Sequence, residues 1–403
     1  MPALRLHHPA ARRHRALFLF LATLVLTGPA LAQEAEEAAP ASVRARFGEG
    51  VTFDTGDGQF SLTVRGRLQL RYVASGNSGA GGLGPISQGF FVRRGRLQVD
   101  GTFLQDFEYK LQLGMSPFDM ESDNPNVLRD AQVTWTRFRD LQVRAGQGKV
   151  MYDRQRLNSS SALQFTDRSA VTSEFTLDRD VGVQLFSEDL LGLDGRLVYA
   201  LGLHGGEGRN PTATGQGLLL SARVGYRPFG GFDDLSEADL SRSDAPRLGI
   251  YAGVARNWNA VRAQGSHGDR FFGGHADFTH LLLDGLFKWK GLSVSGALHL
   301  RSTDEPLRED SLLAIPTDTG WGVYGQVGYV FVPEWEVVAR YGQIRGFRDR
   351  ATGLEDLTEI GAGIGWYLMD QDLKLQASYL LNPAVAGAAV TRHQAHLQLQ
   401  LFF

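Results

Sequence analysis

Hydrophobic residues in this chain recur at every second position over stretch after stretch, and the last stretch shows it most cleanly. From His393 to Phe403, Ala395, Leu397, Leu399, Leu401 and Phe403 fall on one side of an extended chain, while Gln394, His396, Gln398 and Gln400 fall on the other. Successive side chains of a strand point to opposite faces, so this period makes one apolar and one polar face. Alternating segments occur at 60–73, 89–104, 106–115, 128–138, 140–149, 179–188, 194–204, 217–228, 247–257, 271–288, 292–302, 320–332, 334–344, 357–368, 372–381 and 391–403. Long Gly/Asp/Asn/Pro-rich connections at 74–88, 116–127, 150–178, 205–216, 258–270, 303–319, 345–356 and 382–390 alternate with short turns. Sixteen strands, with the long loops on one side and both termini on the other, predict an all-β transmembrane antiparallel β-barrel. Two places strain the pattern. The apolar phase of 271–288 flips near His280, which reads as a bulge, and the connection around 229–246 is long where short turns are expected. No helix is expected.

The N-terminus adds an export signal to this picture. Arg5, Arg12, Arg13 and Arg15 precede a short apolar run, Ala16 to Leu26, and Ala30-Leu31-Ala32 is a small-x-small cleavage site. The expected organisation is a signal peptide over 1–32, a small, acidic periplasmic leader over 33–59 and the barrel over 60–403. No later segment approaches the roughly 20 apolar residues of a membrane-spanning helix, so membrane residence falls to strands. Cleavage would remove four arginines and no acid, moving the formal charge from −3 to −7. The absence of cysteine excludes disulfides and thiolate metal sites. Arginine outnumbers lysine 36 to 5, a bias that suits oxyanion contacts and also suits a GC-rich genome.

Parity then sorts charge. The apolar register of each strand faces lipid, so the other register faces the lumen. In 60–73 this turns Arg65, Arg67 and Arg71 inward, opposite Leu62, Val64, Leu68 and Leu70. An arginine on the lipid side near the midplane would cost about 2–4 kcal/mol, which makes the assignment firm. The same rule turns Arg94, Arg96, Lys110, Arg144, Arg223, Arg227, Arg301, Arg340 and Lys374 inward, against the acids Asp100, Glu108, Asp130, Glu336 and Glu359. The expected lumen is basic in an acidic chain. Rings of Arg and Lys favour anions, although lumen arginines also pair with lumen acids simply to stiffen a wall.

The longest connection, 150–178, carries Leu157, Leu163, Phe165, Val171 and Phe175, too apolar for a solvated loop. An inward fold of this third long loop would bury them and bring Arg154, Arg156 and Arg168 toward a constriction. The alternative is external packing on neighbouring loops or subunits. Aromatics at strand ends, among them Tyr72, Trp135, Trp335, Trp366 and Tyr367, suit interfacial girdles.

With these stretches in view, the sequence resembles the phosphate-selective porin O/P family. The resemblance lies in FSLTVRGRLQLRY (60–72), FFVRRGRLQVDGTFLQDFEYKLQLG (90–114), LQVRAGQGKV (141–150), LQFTDRSAV (163–171), LDRDVGVQL (177–185) and RVGYRPFGGF (223–232). It implies a trimeric porin of the outer membrane with an arginine ladder, carried here onto Arg65, Arg67, Arg94, Arg96 and Arg223, and a constriction containing a lysine. Lys149 sits where the family often has GQFKVPF; Gly148 replaces the aromatic and Met151-Tyr152 replaces Pro-Phe.

The expected function is passive diffusion of phosphate or other small anions, along a pathway of Arg65, Arg67, Arg71, Arg94, Arg96, Lys110, Arg144, Lys149 and Arg223 with Arg154, Arg156 and Arg168 on the loop. A weakly selective general porin is the alternative. A barrel hydrolase is the remote one, because His204, His299, His393 and His396 have no serine motif beside them. No cofactor is expected, and a wet loop accounts for His267 and His275 better than a metal site. The expected partners are outer-membrane lipid and lipopolysaccharide, the barrel-assembly machinery through the strand ending at Phe403, and two further copies in a homotrimer, with no nucleic acid.

Overall fold

Period-two alternation folds as strands along almost the whole chain. The structure, a computed structural model, describes residues 40–403 apart from 121–124, 212–215, 272–273, 304–315, 349–351 and 386–389. The expected signal peptide over 1–32 lies outside the described residues. The strands are β1 Ser42–Arg46, β2 Gly50–Asp54, β3 Ser61–Gly79, β4 Gly82–Leu83, β5 Ser87–Phe103, β6 Phe107–Gly114, β7 Leu128–Phe138, β8 Leu141–Lys149, β9 Arg179–Ser187, β10 Leu197–His204, β11 Leu218–Tyr226, β12 Arg247–Ala260, β13 Ala276–Trp289, β14 Leu292–Thr303, β15 Gly320–Val332, β16 Trp335–Gly346, β17 Leu357–Met369, β18 Leu373–Asn382 and β19 Thr391–Phe402.

Sixteen of them, β3 and β5 to β19, pair antiparallel with their neighbours, and β19 pairs back onto β3 to close the barrel. Closure leaves no unpaired edge in the membrane. At the seam the Phe403 backbone exchanges hydrogen bonds with Gly66, at 2.6 and 3.0 Å. The terminal ring covers Gly66 so closely that a Cβ there would lie 2.4 Å from it. Where β19 stops, the hairpin of β1 and β2 takes over the edge of β3 through Val51–Asp54. Apart from the β11–β12 connection, the links on the terminal side are short; Lys290 and Gly291 both have positive φ, 49° and 88°, as a two-residue hairpin turn requires.

The interior corrects two expectations. Register in β13 never flips at His280: Phe278, His280, Leu282, Asp284, Leu286 and Lys288 all turn inward without interruption. The irregularity lies at the start of the strand, where pairing with β12 slips between Asn257 and Ala260. Sequence suggested a flip because Phe278, Leu282 and Leu286 are apolar residues facing the lumen. They can face it because the lumen there is filled with protein.

Loop 150–178 folds inward and forms two short helices, α1 Arg154–Leu157 and α2 Ala170–Phe175, where no helix was expected. Asp153 caps the first by accepting from Arg156 N at 3.0 Å, and Ser169 caps the second by accepting from Thr172 N at 3.0 Å. Val150, Tyr152, Val171, Phe175 and Leu177 pack on Leu219, Ala255, Leu282, Tyr324 and Ile344 of the wall. Phe165 packs on Val338 and Leu380. The long connection between β11 and β12 also enters the barrel. Its Glu237 accepts from Gln155 Nε2 at 2.8 Å, from Gln164 N at 2.9 Å and from Gln326 Nε2 at 3.1 Å, tying both inserted segments to the wall.

Candidate functional site

Because the loop packs on the β11–β18 side, open space remains along β3 to β10 and reaches Arg223 and Tyr251 of β11 and β12. Two cavities of about 780 and 750 Å³ lie there end to end. Both are bordered by Arg65, Gln98, Lys110, Asp130, Lys149, Leu157 and Leu235, which therefore form the throat between them. The upper cavity reaches the long-loop side through Arg209, Arg262 and His267, and the lower one reaches the side of the termini through Glu108, Glu188 and Arg227.

Each of the expected residues has a definite place. Arg65, Lys110 and Lys149 are at the throat. Arg67, Arg94, Arg96, Arg156 and Arg168 border the upper cavity, and Arg144 and Arg223 the lower one. Arg71 is buried instead between loop and wall: Nε donates to Gln398 at 3.0 Å, one terminal nitrogen donates to the Thr166 carbonyl at 2.7 Å, and the other meets Asp167. Arg154 corrects the expectation for the loop. It borders neither cavity, because α1 turns it into the packed side, 3.7 Å from Asp284 and 3.3 Å from the Asp234 carbonyl.

Parity alone missed Arg93 and Arg129. Pairing between β3 and β5 slips at Gln69/Leu70, so Arg93 is an extra residue that joins Arg94 on the lumen side. A slip between β6 and β7 at Gln112/Leu113 does the same for Arg129. Adjacent charged residues were the visible signal, Arg93-Arg94 in β5 and Arg129-Asp130 in β7, since a regular strand would send one of each pair into lipid.

Acids at the upper cavity are shared. Asp167 meets Arg71, Arg94 at 2.9 Å and Arg93 at 3.3 Å. Asp119 meets Arg96 and, at 3.3 Å, Arg129. Asp178 meets Arg156 and, at 3.3 Å, Arg179, which also holds Asp130 at 2.8 Å. Burial alone would raise the carboxyls of Asp167 and Asp178, two loop groups outside the strands. The surrounding arginines outweigh it and hold both well below the usual carboxylate range.

Of the expected cations at the throat or along the cavities, four have no carboxylate within salt-bridge distance among the described residues. Arg67 donates to Ser159 Oγ at 3.0 Å, and its Nε has no hydrogen-bond partner among the described residues. Arg168 donates to the carbonyls of Gln155 and Asn158 at 2.8 and 2.6 Å. Lys149 donates to those of Leu157 and Asn158 at 2.6 and 2.9 Å. Arg144 donates to Thr134 at 3.1 Å and lies over the Phe186 ring. Beside Lys149, the Gln132 side chain takes the space above Gly148: a Cβ would lie 2.0 Å from its Oε1, so a larger residue there requires Gln132 to move.

The four histidines weighed for a hydrolase lie away from the passage. His396 pairs with Thr166 at 2.9 Å, His393 with Ser78 at 2.7 Å, and His299 stacks on Phe175. None of these three, nor His204, borders either cavity. Among the described residues no three metal-ligating side chains gather.

A family model described as phosphate-selective porin O and P matches residues 63–225. No curated protein matches by sequence. Among solved structures, the fold is similar to an anion-selective porin from Comamonas acidovorans, with 13% identity and a TM-score of 0.55 over 85% of this chain and 100% of that one. It is also similar to Salmonella typhi OmpF in complex with daunomycin, with 14% identity and a TM-score of 0.58 over 86% and 99%. The outer membrane channel DcaP of Acinetobacter baumannii gives 12% and 0.56 over 85% and 97%. At such identities the likeness is one of fold. The chain is thus a sixteen-stranded porin-type barrel whose residues 63–225 carry the pattern of the phosphate-selective porin O and P family.

Proposed function

We propose that the chain is an outer-membrane porin through which small anions, phosphate or a related oxyanion among them, diffuse passively. The observation that carries this reading is the imbalance of charge along the open passage. Asp119, Asp167 and Asp178 are each shared between two or three arginines, while Arg67, Arg168, Lys149 and Arg144 meet no carboxylate among the described residues. In a passage with low-dielectric walls such an excess raises the local concentration of anions. Charge-assisted N–H contacts replace part of the anion's hydration, and their repetition along the wall lets it leave each in turn.

The reading includes export by residues 1–32, engagement of the barrel-assembly machinery by the strand ending at Phe403, and a homotrimer among lipid and lipopolysaccharide. A weakly selective general porin is the second reading, favoured by the arginines already spent on Asp119 and Asp130. Planar-bilayer recording across a potassium chloride gradient separates the two. The proposal expects a chloride-selective reversal potential and a chloride current reduced by added phosphate. A near-zero reversal potential without phosphate block favours the general porin, and a cation-selective one overturns the anion reading.

A further inference from the structure

The throat is not basic all round. The barrel wall brings Arg65, Gln98, Lys110, Asp130 and Lys149, with Arg65 2.6 Å from Asp100 and Lys110 3.8 Å from Asp130, whereas the two inserted segments bring Leu157 and Leu235. Leu235 comes from the connection between β11 and β12, which the sequence marked only as unusually long. Its side chain remains 43% exposed although its neighbours Asp234 and Glu237 are buried, and the space it is exposed to is the passage. The backbone around it is fixed: Leu235 N donates to Asp233 at 3.1 Å, and Glu237 N donates to the Ala162 carbonyl of the loop at 3.1 Å. Leu157 is placed just as firmly, since its carbonyl accepts from Lys149 Nζ. Below them Met151 continues the apolar side into the lower cavity.

Phosphate is polar on every side. In this throat the cations and the Gln98 amide can replace water around the oxygens on the wall side, but the leucines offer nothing to those on the other side, and a polar group stripped of water without a hydrogen bond is disfavoured. An organic anion with its charge at one end and hydrocarbon at the other meets both sides. We infer that the throat formed by Arg65, Lys110 and Lys149 with Leu157 and Leu235 selects amphiphilic organic anions, monocarboxylates bearing a hydrocarbon or aromatic body, over compact oxyanions. This rests on the anion reading above and narrows its substrate class. It also gives the inserted β11–β12 connection a role, with Leu235 as a specificity-determining residue.

The test is chloride-current block in planar bilayers at pH 7 by benzoate, acetate and phosphate, for the wild-type chain and for Leu235→Asn. The wild type should be half-blocked by benzoate at about tenfold lower concentration than by acetate or phosphate, the size of effect one good apolar contact produces. Leu235→Asn should bring the three together. Block by phosphate at an equal or lower concentration than benzoate overturns the inference while leaving the anion reading intact. A benzoate preference unchanged in Leu235→Asn overturns the role of Leu235. A cation-selective channel that no anion blocks overturns both readings, and the wild-type series decides the substrate class even if the variant fails to fold.

Discussion

The two halves of the barrel interior follow the same alternation and come to opposite ends. From β11 to β16 the inward residues include Leu219, Ala255, Leu282, Ala297, Tyr324 and Ile344, and the loop covers them with Val171, Phe175 and Leu177. From β3 to β8 they include Arg65, Arg67, Gln98, Lys110 and Arg144, and they border open space. Period-two patterning separates lipid from interior, but it does not say whether the interior is water or protein. The chemistry of the inward register says that. Polar inward residues mark the passage; apolar ones mark a surface awaiting a partner from the same chain.

The largest effect should come from breaking the packed half. Phe175 is buried in the loop–wall core, with Arg301 4.9 Å from its ring centre. Phe175→Ala should remove about 3–5 kcal/mol of packing. The loop then leaves the wall, single-channel conductance rises, and a protease cleaves at Arg154 and Arg156. Unchanged conductance and protection would mean that the loop is held by its ion pairs alone.

Charge removal should sharpen the contrast between the halves. Lys149 stands at the throat without a carboxylate, whereas Lys288 on β13 lies in the packed half and donates to the Asp233 carbonyl at 3.0 Å. Lys149→Gln should lower the chloride-to-potassium permeability ratio roughly fivefold, the effect of one unit charge at contact distance in a watery passage. Lys288→Gln should leave the ratio where it was. Equal losses from the two variants would show that selectivity comes from the overall field rather than from the passage wall.

Acid should have the smallest effect. The carboxyls of Asp167 and Asp178 lie below their ordinary values in the folded state, so their contribution to loop docking is complete above the unfolded value, about pH 4. It is lost only as pH falls through the depressed native values. Open-channel noise should therefore stay flat from neutral pH down to about 4 and grow below that. Growing noise between pH 7 and 5 would place the hold on the loop elsewhere.

Much of the architecture was legible because strands and turns leave local marks. All sixteen barrel strands stand where alternation put them, and the apolar content of Leu163, Phe165, Val171 and Phe175 foretold the inward loop. What stayed hidden depended on pairing between strands or on what the loop touches. The slips that bring Arg93 and Arg129 inward are properties of two strands at once. The supposed flip in β13 came from apolar residues whose partners lie outside the strand: Leu282 packs with loop residues more than a hundred positions earlier, and Phe278 with Ala260 at the end of β12 and with Ala263 and Phe271 of the connection that follows it. Arg154 reads as one more lumen arginine until α1 turns it toward Asp284. The β11–β12 connection gave only its length as a clue; that it carries Leu235 to the throat follows from contacts with the loop.

The chain contains no cysteine, so a single introduced one reports on its own site. Gln98 borders the throat and Ala255 lies under the loop. Conductance of Gln98→Cys and Ala255→Cys channels, followed while a small charged thiol reagent is added, tests the division of the interior most directly. Rapid modification with loss of current at Gln98→Cys and none at Ala255→Cys is the result expected. Similar reaction rates at the two sites would contradict it.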